Sequence, residues 1–156
     1  MDTRLDFNSS EILQKFAKRL NSAAAVPHGT LPVATTNLML TRASQINGCA
    51  VCVDMHTKDA EAAGESSVRL NLVAVWRDAK GFTEAERAAL ELTEQGTRIA
   101  DGAGGVTDEA WANAAKHYDT DQLAALVCTI AMINTYNRVN VICQNQGGDY
   151  QPGQWG

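Results

Sequence analysis

No stretch of this chain concentrates positive charge. The 13 Lys and Arg residues stand against 18 Asp and Glu, for a formal net charge of −5, and they gather into no basic stripe. Phosphate backbones are held by clustered Lys and Arg, so nucleic acid is not an expected partner. The acidic balance likewise argues against docking on anionic lipid. No run reaches the roughly 18 apolar residues that a membrane-spanning helix needs. The opening residues, Met1 to Phe7, are polar and charged, without the apolar stretch of a signal peptide, which makes the cytoplasm the expected compartment and no membrane association expected. Strand-type alternation, a domain linker and a strict internal repeat are all missing too. At 156 residues, 45% apolar and 20% charged, the chain has the size and balance of one soluble globular domain with a real core.

Cysteine is present but sparse: Cys49, Cys52, Cys128 and Cys143. A disulfide framework is not expected, because a chain of this length needs no staples and shows no export signal. Two of the four sit only three residues apart. In a reducing compartment such a pair points to catalysis, redox sensing or metal binding.

What fills the chain is helical pattern. Asn8-Ser9-Ser10-Glu11 resembles a helix start, and Leu13, Phe16, Ala17 and Leu20 then recur at helical spacing. Pro32 suits the first turn of a second helix carrying Leu38, Met39 and Ile46, which Asn47-Gly48 breaks. A third begins near Cys49 and stops at Gly64. Ser66-Ser67 caps a fourth with Leu70, Val73 and Trp76, and Thr83 with Glu86 forms a capping-box pattern for a fifth. Asp101 to Gly105 reads as a flexible loop, and Thr107-Asp108-Glu109 starts the next helix. Asp121 opens a last long helix whose segment Leu123 to Ile133 is almost continuously apolar, the mark of a helix buried in the domain or against a neighbouring subunit. The expectation is an all-α helical domain over residues 1–146, followed by a loosely held Gly- and Pro-containing tail over 147–156.

The chemistry concentrates at Cys49, Cys52 and His56, at i, i+3 and i+7 along one helix face. Because Asn47-Gly48 ends the preceding helix, both thiols fall in the first turn of the next. There, unpaired N–H groups and the helix dipole favour a thiolate. His56 can accept the thiol proton or, once charged, hold the thiolate electrostatically. Two thiols this close can also close a disulfide after one is oxidised to sulfenic acid, and an outside dithiol can reopen it by exchange. A purely structural pair and a zinc site are the alternatives. The latter needs a further ligand, and no second Cys/His pair at ligand spacing is present, so no metal is expected. A thioredoxin-like site lacks its β-α-β context.

Arg42-Ala43-Ser44-Gln45-Ile46-Asn47-Gly48-Cys49-Ala50-Val51-Cys52-Val53-Asp54-Met55-His56-Thr57-Lys58 closely resembles the core motif of the alkylhydroperoxidase-D-like family, within the carboxymuconolactone decarboxylase superfamily. The resemblance runs over roughly residues 30–142, through Trp76-Arg77, Phe82 to Leu90 and Ile133 to Arg138. It implies a helical bundle of about six to eight helices that assembles as a homo-oligomer, a trimer or hexamer. It implies thiol-dependent reduction of a hydroperoxide substrate, with Cys52 attacking peroxide, Cys49 resolving, and His56 in a proton relay. No bound cofactor is implied; the electron donor is an external dithiol, lipoyl-bearing in the best-known relatives. One departure concerns the relay. The glutamate usual five residues before the matching arginine is here Asn37, which can orient His56 but can neither carry charge nor take up a proton. Weaker activation of Cys52 than in relay-complete relatives is therefore expected. Val51 also replaces the His or aromatic that some members place between the cysteines.

Among the remaining residues, Cys128 reads as a buried small hydrophobe and Cys143 as an inert thiol. His28 and His117 read as surface or turn residues, and Trp76 as packing. Asn134, Tyr136, Asn137 and Arg138 read as caps or cross-subunit pairs, with Tyr136 or Asn137 as possible site-lining residues. Asp54, two residues from both Cys52 and His56, falls off their shared face and reads as a surface acid. Two functions compete with peroxide reduction: a redox-responsive or thiol-disulfide exchange protein without efficient turnover, and a decarboxylase or other lyase. The intact cysteine pair points away from the last.

Overall fold

The computed structural model describes residues 2–102 and 104–154, so Met1, position 103 of the Gly-rich loop and the end of the tail lie outside the described residues. Seven α-helices are present among the described residues, and no strand: α1 (Glu11–Ala24), α2 (Val33–Asn47), α3 (Ala50–Ala62), α4 (Ser67–Leu72), α5 (Glu84–Thr97), α6 (Asp108–Ala114) and α7 (Thr120–Cys143). A short 3-10 turn, Val73–Val75, extends α4. The expected all-α architecture is what forms.

The helix starts follow from side-chain capping. Ser10, Ser66 and Thr107 each accept a hydrogen bond from the backbone N–H three residues on, satisfying an otherwise orphaned donor. Thr83 with Glu86, and Asp119 with Gln122, close full capping boxes. Two starts differ from the pattern read in the sequence: Ser10 rather than Asn8 caps α1, and α7 begins at Thr120 under Asp119 rather than at Asp121.

α2 is the central helix and packs on α3, α5 and α7. Its neighbouring residues Leu38 and Met39 enter different core clusters. Met39 joins Ala88, Leu92, Leu126 and Ile130 between α2, α5 and α7. Leu38 joins Ala60, Leu70, Val73, Trp76, Phe82 and Leu90 on the side of α3 and α4. Each is 1% exposed, and burial at that level stabilises by about 1.5–3 kcal/mol per side chain. The Glu94 carboxylate ties the two sides together. It accepts from Arg42 Nε at 2.6 Å, Trp76 Nε1 at 3.0 Å and Arg77 Nη2 at 2.8 Å. Burial pushes this carboxyl up, but the donors from Trp76, Arg42 and Arg77 outweigh it and hold the pKa below its usual value.

One expectation about α7 is corrected. Cys128 is exposed, not buried. Ala124, Val127, Cys128 and Ala131 fall at i, i+3, i+4 and i+7 and form an exposed stripe along the helix. A segment that is apolar all round carries no periodicity to say which face turns outward. Cys143, by contrast, is buried, while His28 and His117 are exposed as expected.

Candidate functional site

The site begins where α2 stops. Gly48 turns the chain left-handed at φ 67°, a conformation that costs glycine nothing and other residues a steric penalty. The backbone N–H of Cys49 donates back to Ser44 O at 3.0 Å. Cys49 thereby becomes the N-cap of α3, with its Sγ accepting from the Cys52 N–H at 3.3 Å. The two Sγ atoms are bonded, 2.11 Å apart, as a disulfide.

This turn is pinned to α7 by amides. Asn47 Nδ2 donates to Asn134 Oδ1 at 3.0 Å and to Asn137 Oδ1 at 2.9 Å. Asn137 Nδ2 donates to Ser44 Oγ at 3.1 Å, and Asn134 Nδ2 to Thr97 Oγ1 at 3.0 Å. Asn137 is fully buried, so it acts one step back from the sulfurs: it fixes the turn that presents Cys49. Tyr136 faces elsewhere, its hydroxyl 2.5 Å from Asn21 Oδ1 on α1, and the structure does not bring it to the thiols. Asn37 is half-buried on α2, and among the described residues its side chain has no hydrogen-bond partner. No bond to His56 forms there.

His56 follows Cys52 by one turn of α3. Burial drives its pKa down from 6.5 to about 4, with the Asp59 charge opposing weakly. In this oxidised form the imidazole is neutral at pH 7. It is therefore no standing cation for a thiolate, and burial leaves it a weak base in this form.

Three features escaped the sequence reading. The first is Asn140, one turn beyond Asn137. Its Nδ2 donates to Cys52 Sγ at 3.5 Å and to Tyr136 O at 3.0 Å, while its Oδ1 accepts from Asn145 Nδ2 at 2.8 Å. The i, i+3, i+6 spacing of Asn134, Asn137 and Asn140 in the polar end of α7 was the available signal. The second is a groove of about 430 Å³ lined by Gly48, Cys49, Ala50, Asn140, Gln144 and Gln146 among others. The third is the tail. Expected to be loosely held, it lies along α3. Asp54 Oδ2 accepts from the backbone N–H groups of Gly148 and Tyr150, Lys58 Nζ donates to the carbonyls of the same two residues, and the Tyr150 hydroxyl donates to Asp59. Asp54 is thus a fastener for the tail. Among the described residues, no group of three or more His, Cys, Asp or Glu could hold a metal ion, and no helix is long and apolar enough to cross a membrane.

Comparison with known proteins places this geometry. The model of the carboxymuconolactone decarboxylase family matches residues 11–95, more than half of the chain. The chain belongs to that family. A Bacillus subtilis relative, the uncharacterised protein YdfG, is 39% identical over 112 residues, 72% of this chain and 75% of its own. A crystal structure from Agrobacterium tumefaciens superposes with a TM-score of 0.85 at 33% identity, covering 96% of this chain and 100% of the other. That protein is of unknown function and has been proposed as the antioxidant defence protein AhpD. The AhpD core of an uncharacterised peroxidase-related protein from Ralstonia eutropha shares the fold, with a TM-score of 0.70 at 18% identity over 89% of this chain and 72% of that one. The family and its AhpD-like neighbours confirm the resemblance read from the Cys-x-x-Cys segment, and they indicate an enzyme of this family's type.

Proposed function

We propose that this family member reduces hydroperoxides through Cys52 and Cys49 and is returned to the dithiol form by an external dithiol, lipoyl-type in its chemistry. The observation that carries the reading is the disulfide at the start of α3, with a hydrogen-bond donor on each sulfur: the Cys52 N–H on Cys49 Sγ and Asn140 Nδ2 on Cys52 Sγ. Both donors favour the thiolate over the neutral thiol. In the reduced protein, His56 takes the proton of Cys52 as the thiolate forms, and the attraction of the resulting opposite charges offsets the cost of protonating a buried imidazole. The Cys52 thiolate attacks the peroxide O–O bond, releasing an alcohol and becoming a sulfenic acid. Cys49 then attacks that sulfur, expels water and forms the observed bridge. Two electrons have passed from the thiols to the peroxide, and an outside dithiol replaces them. The protein itself supplies both reacting sulfurs, so no bound cofactor enters the cycle, and such cycling suits the reducing cytoplasm. Assembly into a trimer or hexamer belongs to the same proposal. It is supported by the exposed apolar side chains Ile99, Trp111 and Val127, which line one cleft.

A second reading is favoured by one observation. Asn37 supplies no charge and makes no hydrogen bond with His56, so the relay lacks its acid, and the bridge can exchange with partner thiols without efficient peroxide turnover. Peroxide consumption under excess dihydrolipoamide, for the native protein beside Cys49→Ser and Cys52→Ser, separates the two. Steady turnover that both substitutions abolish is the expected result. A bridge that forms on oxidation without turnover selects the exchange reading.

A further inference from the structure

We infer that reduction of the bridge begins by attack on Cys49, in the amide-lined groove between the α2–α3 turn and the end of α7, and that Cys52 is the sulfur expelled. The inference rests on the thiol-exchange reading above and specifies its direction. Cys49 and Cys52 are almost equally buried, at 1% and 2% exposure, so exposure alone does not choose between them. The groove does. Gly48, Cys49 and Ala50 line it, and Cys52 does not. Its far wall is close: a Cβ built on Gly147 would meet Ala50 O at 2.5 Å, so only glycine lets the tail pass here and leave the groove its shape.

The opposite sulfur is prepared to leave. Asn140 Nδ2 already donates to Cys52 Sγ, and the Asn140 carbonyl is itself held by Asn145 Nδ2. The amide therefore cannot swing away as charge develops on Cys52. Hydrogen bonds to an ionised acceptor are the stronger kind, so this donor stabilises a Cys52 thiolate more than a bridged sulfur.

The groove also selects the attacker. Its polar side chains are Asn140, Gln144, Asn145 and Gln146, with no charged residue among the described lining residues. A thiol with an uncharged end meets amides that can pair with it. An anionic one must be desolvated against amides, because the neighbouring cations Arg4 and Lys58 stand outside the described lining and bond to Ile142 O and Gly148 O, on a chain whose net charge is −5. The thiolate of an uncharged dithiol forms a bond to Cys49 Sγ, the Cys49–Cys52 bond breaks, and Cys52 departs with the electron pair. The second thiol of the reductant then displaces Cys49 and closes its own disulfide. The reductant has lost two electrons and two protons, and the protein has gained both.

The test maps the first intermediate on the native, oxidised protein. 2-Mercaptoethanol is added together with iodoacetamide, which caps the freed cysteine before it can reverse the exchange, and the adducts are located by peptide mass spectrometry. The expected result is mercaptoethanol on Cys49 and carbamidomethyl on Cys52, at least ten-fold over the reverse. 2-Mercaptoethanesulfonate should react at least ten-fold more slowly. Val141→Trp, at an exposed position lining the groove, should slow the neutral thiol several-fold while leaving the bridge intact. Adducts on Cys52 would overturn the assigned direction and leave thiol exchange standing. A bridge that neither thiol opens would overturn both.

Discussion

Asn140 Nδ2 lies 3.5 Å from Cys52 Sγ, and it reaches that sulfur from α7, across the bundle from the helix that carries both cysteines. The same side-chain face of α7 holds the α2–α3 turn through Asn134 and Asn137. One helix thus positions Cys49 through its backbone turn and Cys52 through a direct donor.

Removing that donor should weaken the Cys52 thiolate. A hydrogen bond to a charged acceptor contributes about 1.5–3 kcal/mol, which corresponds to about one to two pH units in a thiol pKa. Asn140→Ala in a Cys49→Ser background should therefore raise the Cys52 pKa by that amount, read from the ultraviolet absorbance of the thiolate. An unchanged titration would remove Asn140 from the site.

His56 makes stability depend on acid. Its folded pKa, about 4, is below the ordinary value of 6.5. The unfolded chain therefore takes up a proton at this position between those values while the folded chain does not. Stability is fully present above about pH 6.5 and falls as pH drops toward 4. The loss is at most about 3 kcal/mol, since the residue keeps some contact with solvent. In urea titrations of the oxidised protein, His56→Gln should flatten this limb of the stability profile. The same slope in both proteins would refute the assignment.

How much of this was legible beforehand differs between fold and site. The helices were readable because their caps are local: Ser66, Thr83 and Thr107 act on residues three away. The Cys49–Cys52 pairing was readable for the same reason, its two residues being three apart at a helix start. Asn140, Asp59 and Tyr150 were not, because what they touch is 88 or more residues distant for Asn140 and the tail, and no local period encodes such a meeting. Cys128 misled because the segment Leu123 to Ile133 has too few polar residues to mark its outer face.

Asn37 offers a gain-of-function test. Asn37→Glu places a carboxylate where relatives are expected to carry one, and a nearby negative charge favours imidazolium. The His56 pKa should rise from about 4 by one unit or more, followed by NMR of the ring protons, and the thiolate fraction of the reduced protein near neutral pH should rise with it. If both stay where they are, the residue at this position does not communicate with His56 in this fold.

The tail supplies the last prediction. Asp54 carries much of its fastening, through two backbone N–H groups at 2.7 and 3.2 Å and an ion pair with Lys58 at 2.7 Å. Lys58 first, and then the Gly148 and Tyr150 N–H groups, hold the Asp54 carboxyl below its ordinary pKa against some opposing burial. The fastening is therefore complete at neutral pH and is released only as pH falls through and below the ordinary carboxylate range. Asp54→Asn keeps the shape and removes the charge. Amide hydrogen exchange at Gly148 and Tyr150 should then accelerate about ten-fold, equivalent to about 1.4 kcal/mol of local stability. Exchange in the buried middle of α5 should not change. Because Gly147 forms a wall of the groove beside Cys49, the same substitution should also alter the rate at which a neutral thiol opens the bridge. Faster exchange in the tail with an unaltered opening rate would mean that the tail covers α3 without shaping the approach to Cys49.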